Sequence, residues 1–233
     1  MRPILASLAL LTTLVATPAG AVEIYASFGT GMSFTSADSG GINWFGPHQN
    51  TGEADDTVPP FTGALGVAFA PEEIGFAGVG LRLELAGAGN YATRFTTNSF
   101  APPVPTFFYE TEVDAWTGMV NLWVDVPLTE AFGLYVGGGA GLASIHLETT
   151  DTVVSGVETD INFAWTAGAG VSWRVATWAV LDLGYRYVDL GDAATELVDP
   201  APSAPPSYLT LDNMRSHQIL TSFRIQMPAG WIF

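Results

Sequence analysis

From Val22 onward the apolar residues of this chain recur at every second position, and that period limits what it can fold into. Val22, Ile24, Ala26, Phe28, Thr30, Met32 and Phe34 fall on one face, with Glu23, Tyr25, Ser27, Gly29, Gly31 and Ser33 on the other. Side chains alternate between faces along a strand but return every 3.6 residues along a helix, so a sustained period of two reads as β-structure. The pattern recurs in Phe61–Phe69, in Val79–Leu85 around Arg82 and Glu84, and in Trp116–Val126 around Asn121 and Asp125. It continues in the glycine-rich Gly133–Ser144, in Ile161–Trp173, in Leu181–Tyr187 around Asp182 and Arg186, and in Gln218–Ile225 around Arg224. No segment carries a helical stripe. The expectation is an all-β chain of eight strands.

The connections fall into two classes that alternate along the chain. Pro71–Phe76, Pro127–Ala131 and Arg174–Thr177 are short turns, while Ala37–Pro60, Ala92–Thr111, Thr149–Thr159 and Asp189–Asp212 are long, Pro-rich or acidic loops. In an antiparallel up-and-down barrel, this order puts every long loop at one end and every short turn at the other. Bacterial outer-membrane barrels have that layout.

Alternation alone does not say which face meets water, because a soluble lipid-binding barrel alternates with its apolar face inward. The composition of the other face decides. A water-exposed strand face is dense in Lys, Glu and Arg, whereas here it carries Gly, Ala, Ser, Thr and Asn with only occasional charge. The whole chain has no Lys, only 13% charged residues and a mean hydropathy of +0.30. Small hydrogen-bonding side chains suit a narrow lumen and the Leu/Val/Phe/Trp face suits lipid, where closure also satisfies every backbone amide. Aromatics reinforce this placement: Phe69, Phe76, Phe132, Trp173 and Trp178 gather at the short-turn ends, and Phe34, Phe61, Tyr91, Trp116, Phe163, Trp165 and Tyr187 near the long-loop ends. Paired belts of this kind mark the two membrane interfaces.

The N-terminus is the one continuous apolar run. Met1-Arg2, the apolar stretch Ile4–Ala16 and the small-residue site Ala19-Gly20-Ala21 read as a signal peptide spanning 1–21. The barrel domain is then 22–233, with 23 acidic side chains against six Arg and a net charge of −17. Such a chain is a poor binder of nucleic acid, and the absence of Cys excludes thiolate metal sites and a Cys nucleophile.

Four segments carry a family resemblance: Gly118–Asp125 (GMVNLWVD), Leu134–Gly141 (LYVGGGAG), Ala167–Ser172 (AGAGVS) and Leu181–Gly191 (LDLGYRYVDLG). They resemble the outer-membrane β-barrel family of opacity and surface-antigen proteins, which is similar to the barrel domain of outer membrane protein A. The resemblance implies an eight-stranded antiparallel up-and-down transmembrane barrel in a Gram-negative outer membrane, with both termini periplasmic. Phe233, with Trp231 two residues before it, resembles the C-terminal signal read by the barrel-assembly machinery, although Pro228 and Gly230 interrupt the last segment.

By parity the lumen receives Arg82, Glu84, Asp125, Asp182, Arg186 and Arg224. An eight-stranded barrel has room only for side chains, so these charges are expected to pair in an internal ion-pair network. Asp182 and Arg224 lie on adjacent strands, and Glu84 and Arg186 are expected at similar height on opposite strands. Three long loops and their flanks carry thirteen carboxylates without a cation, from Asp38, Glu53, Asp55 and Asp56 through Glu148, Asp151, Glu158 and Asp160 to Asp189, Asp192, Glu196, Asp199 and Asp212. They form an acidic surface able at most to hold divalent cations weakly, with no calcium-loop spacing. The histidines, His48, His146 and His217, make no convincing triad with Ser144 or Ser216. No catalytic residue, cofactor or resident metal is expected. The expected role is structural or surface-exposed, as a monomer in contact with outer-membrane lipid and lipopolysaccharide. The alternatives are a small porin-like channel and a secreted lipid-binding barrel.

Overall fold

The computed structural model describes residues 22–42, 54–75, 78–90, 93–101, 104–150, 154–198 and 207–228. Its elements are β1 (Val22–Ile42), β2 (Ala54–Val58), β3 (Pro60–Phe69), the single helical turn α1 (Pro71–Ile74), β4 (Gly80–Asn90), β5 (Thr93–Ala101), β6 (Val104–Pro127), β7 (Phe132–Thr150), β8 (Ser155–Ala176), β9 (Ala179–Leu197) and β10 (Ser207–Pro228). Antiparallel ladders run β1-β3-β4-β6-β7-β8-β9-β10, and β10 pairs back onto β1. This is a closed ring of eight strands, the fold expected from the alternation, with β2 and β5 as extra pieces stacked above β3 and β4.

Register fixes the shape of the ring. A row of partners starting at Val22 passes Phe69, Leu81, Val124, Val136, Ala169, Tyr185 and Ile219 and returns to β1 at Met32, ten residues higher. Eight strands with that stagger tilt by about 40° and enclose a radius of about 8 Å. The outward apolar run from Trp116 to Val126 then spans roughly 25 Å along the axis, the height of an outer-membrane hydrocarbon band.

The short connections are built from local chemistry. Pro71 opens α1 with its fixed φ, and Gly75 closes it at φ 64°, donating its N–H to Pro71 O at 3.0 Å. At the next turn Thr129 Oγ1 accepts the N–H of Ala131 (3.2 Å) and of Phe132 (2.9 Å). The third turn is tighter than expected: strand continues to Ala176 and resumes at Ala179.

The long connections depart most from expectation. Much of what reads as Pro-rich or acidic loop is strand: β1 continues to Ile42, β6 begins at Val104, β7 reaches Thr150, and β9 reaches Leu197. Polarity inverts along these extensions. On β6 the even positions point outward from Glu110 to Val126, but Trp116, Val120 and Leu122 give way upward to Asp114, Glu112 and Glu110. The odd positions point inward, and above the membrane band they are the buried Ala115, Val113 and Thr111. The wall is thus apolar outside along the lower barrel and apolar inside above it.

Above the aromatic belt the ring also splits. The β3–β4 ladder ends at Pro60–Asn90, and among the described residues no ladder joins β2 to β5. The β8–β9 ladder ends at Trp165–Asp189 and is met again only by an isolated bridge between Ser155 and Val198. These seams lie on opposite sides of the ring. They divide the upper part into two four-stranded sheets, β2-β1-β10-β9 and β5-β6-β7-β8, facing each other across an apolar core. Ala37, Val188, Leu190, Ala193, Leu211 and Met214 come from the first sheet, and Val113, Ile145, Leu147 and Ala164 from the second. A sandwich cap therefore sits on the barrel.

The cap needs β9 and β10 to change faces. In the barrel their even residues point inward (Asp182, Val188 and Leu190; Arg224 and Gln218), but in the cap the buried positions are odd: Ala193, Thr195 and Leu197, and Leu209 and Leu211. Bulges at Gly191 (φ 79°) and Asn213 (φ 51°) make the switch. Four of the carboxylates expected in solvated loops, Asp56, Asp160, Asp189 and Asp192, hold these irregular stretches. Asp189 Oδ1 accepts Gly191 N–H (3.1 Å), and Asp192 Oδ1 accepts Asn213 N–H (2.7 Å). Asp56 Oδ2 accepts Arg94 N–H (3.0 Å) across one seam and Asp160 Oδ2 accepts Ala194 N–H (2.8 Å) across the other, where Asn162 also donates to the carbonyls of Leu190 and Asp192.

Candidate functional site: the barrel interior

Parity on β4, β6, β9 and β10 directs Arg82, Asp125, Asp182 and Arg224 into the lower lumen. Arg82 Nε lies 2.6 Å from Asp125 Oδ2, and Arg224 Nη2 donates to Asp182 Oδ1 at 3.1 Å; both guanidinium side chains are 5% exposed. Ser172 Oγ donates to the same Asp182 oxygen at 2.6 Å. Each arginine also lies over an aromatic ring: Arg82 Cζ is 5.1 Å from the Tyr135 centroid and Arg224 Cζ 5.5 Å from that of Tyr25. Trp123 meets Tyr135 edge-on at 5.6 Å.

Glu84 and Arg186 do not pair. Glu84 accepts the Tyr25 hydroxyl at Oε2 and Asn121 Nδ2 at Oε1, both at 2.9 Å. Arg186 donates Nε and Nη2 to Gln218 Oε1 at 3.0 and 2.7 Å. The stagger is the reason: rows climb from strand to strand, so Arg186 sits about 7 Å higher than Glu84 although each lies a few residues from its turn. Gln218 passes the network on to Ser33 and Ser216, below the cap.

Tyr25, Trp123, Tyr135, Asn121, Ser172 and Gln218 join the site without having been singled out from sequence. Their parity is legible, but bulky rings read more naturally as lipid-facing. The glycines make the room: a Cβ on Gly66 would strike the Tyr25 ring, and one on Gly170 or Gly184 would strike Tyr135. Large residues on some strands thus fit opposite bare backbone on others.

Between these layers lie a vestibule of about 210 Å³ at the short-turn end, a chamber of about 70 Å³ amid the charged residues, and a void of about 10 Å³ beneath the cap. His146 and His217 both point outward, where His146 Nδ1 meets Thr159 Oγ1 at 2.9 Å and His217 Nδ1 meets Tyr185 Oη at 2.6 Å. Ser216 is buried inside, on the other face from His217. His48, Trp231 and Phe233 lie outside the described residues, as do residues 1–21. Among the described residues no three His, Asp or Glu side chains gather to hold a metal ion.

Comparison with known proteins gives three findings. Residues 7–222 match the family model described as "Outer membrane protein beta-barrel domain". The chain is 33% identical to outer membrane protein PagN of Salmonella typhimurium over 86 residues, and 32% identical to an uncharacterized Brucella abortus protein over 87 residues. These matches cover 34% and 33% of this chain and 36% and 31% of the relatives, so the chain matches about a third of their length. The crystal structure of OprG from Pseudomonas aeruginosa superposes with a TM-score of 0.54 at 14% identity, covering 91% of this chain and 99% of that one, a likeness of fold.

Proposed function

The chain belongs to the outer-membrane β-barrel family, and on that premise we propose that it is a structural surface protein of the outer membrane, closed at rest and without catalysis. The observation that carries this reading is the filling of the lumen. The Arg82–Asp125 and Arg224–Asp182 layer crosses it low down, the Arg186–Gln218 layer above that, and the two apolar sheets of the cap meet at the top. An eight-stranded ring has no width left for an aqueous path once such layers interdigitate.

Lipid is the solvent of the wall. Leu65, Val136 and Phe163 stand out at 65, 54 and 66% exposure on the face that a soluble lipid-binding barrel would turn inward. The first strand begins and the last described residues end at the short-turn end, so we place both termini in the periplasm and the acid-faced cap outside. Outer-leaflet lipid and lipopolysaccharide would contact the upper belt, and Trp231 and Phe233 would address the chain to the assembly machinery.

The second reading, passive permeation of small solutes, draws on the vestibule and chamber, which would form a path if the intervening side chains moved. Planar-bilayer recording of the pure protein separates the two. Silent bilayers are the expected result, and stable, reproducible unitary steps would replace the closed reading with the channel.

A further inference from the structure

The β5–β6 ribbon projects past the rest of its sheet. The β6–β7 ladder ends at Glu110–Thr150, whereas the β5–β6 ladder continues to Ala101–Val104. The stretch of β6 above Glu110 carries the ribbon roughly 20 Å beyond β7, at about 3.3 Å per residue. No charged residue occurs between Arg94 and Glu110. One edge of β5 pairs with β6, and at the foot of the other Asp56 of β2 accepts the Arg94 N–H. β2 begins only two residues above Asp56, at Ala54. Among the described residues, no ladder covers the outer edge of β5 from Thr97 to Ala101. A strand edge presents a row of N–H and C=O groups open to pairing, and proteins commonly blunt it with Lys, Pro or a covering element. Thr97-Asn98-Ser99-Phe100-Ala101 contains neither Lys nor Pro.

The surroundings of this edge select what can add to it. On the outer face of the same sheet stand Glu110, Glu112 and Asp114 of β6 and Glu148 of β7. Arg94 answers Glu112 at 3.1 Å, leaving Glu110, Asp114 and Glu148 without a cation among the described residues. Asp55 and Asp56 of β2 lie at the foot of the edge. A second copy of this chain would bring the same carboxylates and be repelled. We propose that the outer edge of β5 at Thr97–Ala101 docks an extended, Lys- or Arg-rich segment of another protein, added to the sheet as a further strand. Main-chain hydrogen bonds supply the attachment, and the carboxylates supply the preference for a cationic segment. The inference rests on the reading of the chain as a surface protein, and it adds the edge and the class of partner.

The probe is a short synthetic peptide alternating Lys with Thr and Val, titrated into the full-length protein in zwitterionic detergent micelles. Saturable binding is expected, at least about tenfold weaker when Glu replaces Lys. N-methylation of alternate amides keeps the charge, removes the donors and should abolish binding. In the complex, hydrogen exchange should slow at the edge-facing amides between Thr97 and Ala101. Glu110→Gln combined with Glu148→Gln, both at exposed positions, should weaken the Lys peptide several-fold and leave the unfolding midpoint unchanged. No binding, equal binding of the N-methylated peptide, or protection elsewhere on the cap would overturn the proposal. Self-association of the protein through these amides would give the edge to a second copy and overturn it as well. Bilayer recording tests the closed lumen and peptide binding tests the edge, so each can fail without the other.

Discussion

Gly191 and Met214 face each other across the β9–β10 ladder at the point where both strands change faces. Gly191 holds φ 79°, and its Cα hydrogen points at Asn162, whose side chain a Cβ would approach to 3.3 Å. Below this pair the inward residues of β9 and β10 pass from Leu190 and Val188 to the charged and polar Arg186, Asp182, Gln218 and Arg224; above it they are Leu, Ala and Thr. One bulge per strand keeps the apolar residues inward as the barrel becomes a sandwich.

Gly191→Ala should therefore destabilise the protein by about 1–2 kcal/mol, because an L side chain is strained in the left-handed region. Urea titration of the detergent-folded protein checks this. Gly87→Ala, on the lipid face with only one atom within 4 Å of the added Cβ, at 3.8 Å, is the control and should cost less.

Removing one partner of the Arg224–Asp182 pair should be worse than removing both. Asp182→Ala leaves a guanidinium buried without its carboxylate and should cost about 3–5 kcal/mol. Combining it with Arg224→Met should recover a sizeable part of that loss. Equilibrium unfolding of the two singles and the double gives the coupling, and additive effects would show that the pair does not act as a unit.

The tight fit of Tyr135 against Gly184 predicts a size-dependent rescue. Gly184→Ala drives a methyl group into the Tyr135 hydroxyl end and should lower the yield of folded barrel, read as the heat-modifiable band on gels. Adding Tyr135→Leu should restore most of it, since the nearest obstacle is a side-chain tip and the Ala169 carbonyl oxygen lies farther off, at 3.0 Å.

Depth along the wall should govern tolerance to charge. Val136→Arg, near the middle of the outward apolar band, should cost about 2–4 kcal/mol, whereas Thr150→Arg at the top of the same strand should cost under about 1 kcal/mol. Equal costs at the two sites would mean that the outer face does not meet lipid.

Cutting the β8–β9 seam should loosen the cap and leave the barrel intact. With Asp160→Ala and Asn162→Ala together, the amide of Ala194 loses its acceptor. Its hydrogen exchange should accelerate by at least about tenfold, since local opening replaces a made hydrogen bond. Amides low on β9 should be unaffected.

Period-two alternation, read from the residues alone, determined the eight strands of the ring, their outward apolar face and the inward set of charges. These follow from strand geometry, because consecutive side chains must point to opposite faces whatever the rest of the chain does. The alternation of short and long connections likewise fixed which ends lie together. Family membership was legible in the glycine-rich segments from 118 to 191.

Only the tertiary structure decided how the charges combine and what crowns the barrel. Counted from their turns, Glu84 and Arg186 are expected at similar height on opposite strands, but the ten-residue stagger separates them in height, and stagger is a property of closure around the whole ring. Tyr25, Trp123 and Tyr135 fit inside because glycines on other strands leave bare backbone opposite them. The upper strands read as loops because their polarity inverts where lipid gives way to water, and because the bulges at Gly191 and Asn213 break the period that identified every other strand. A local pattern reports which way a side chain points, but not which solvent it meets there.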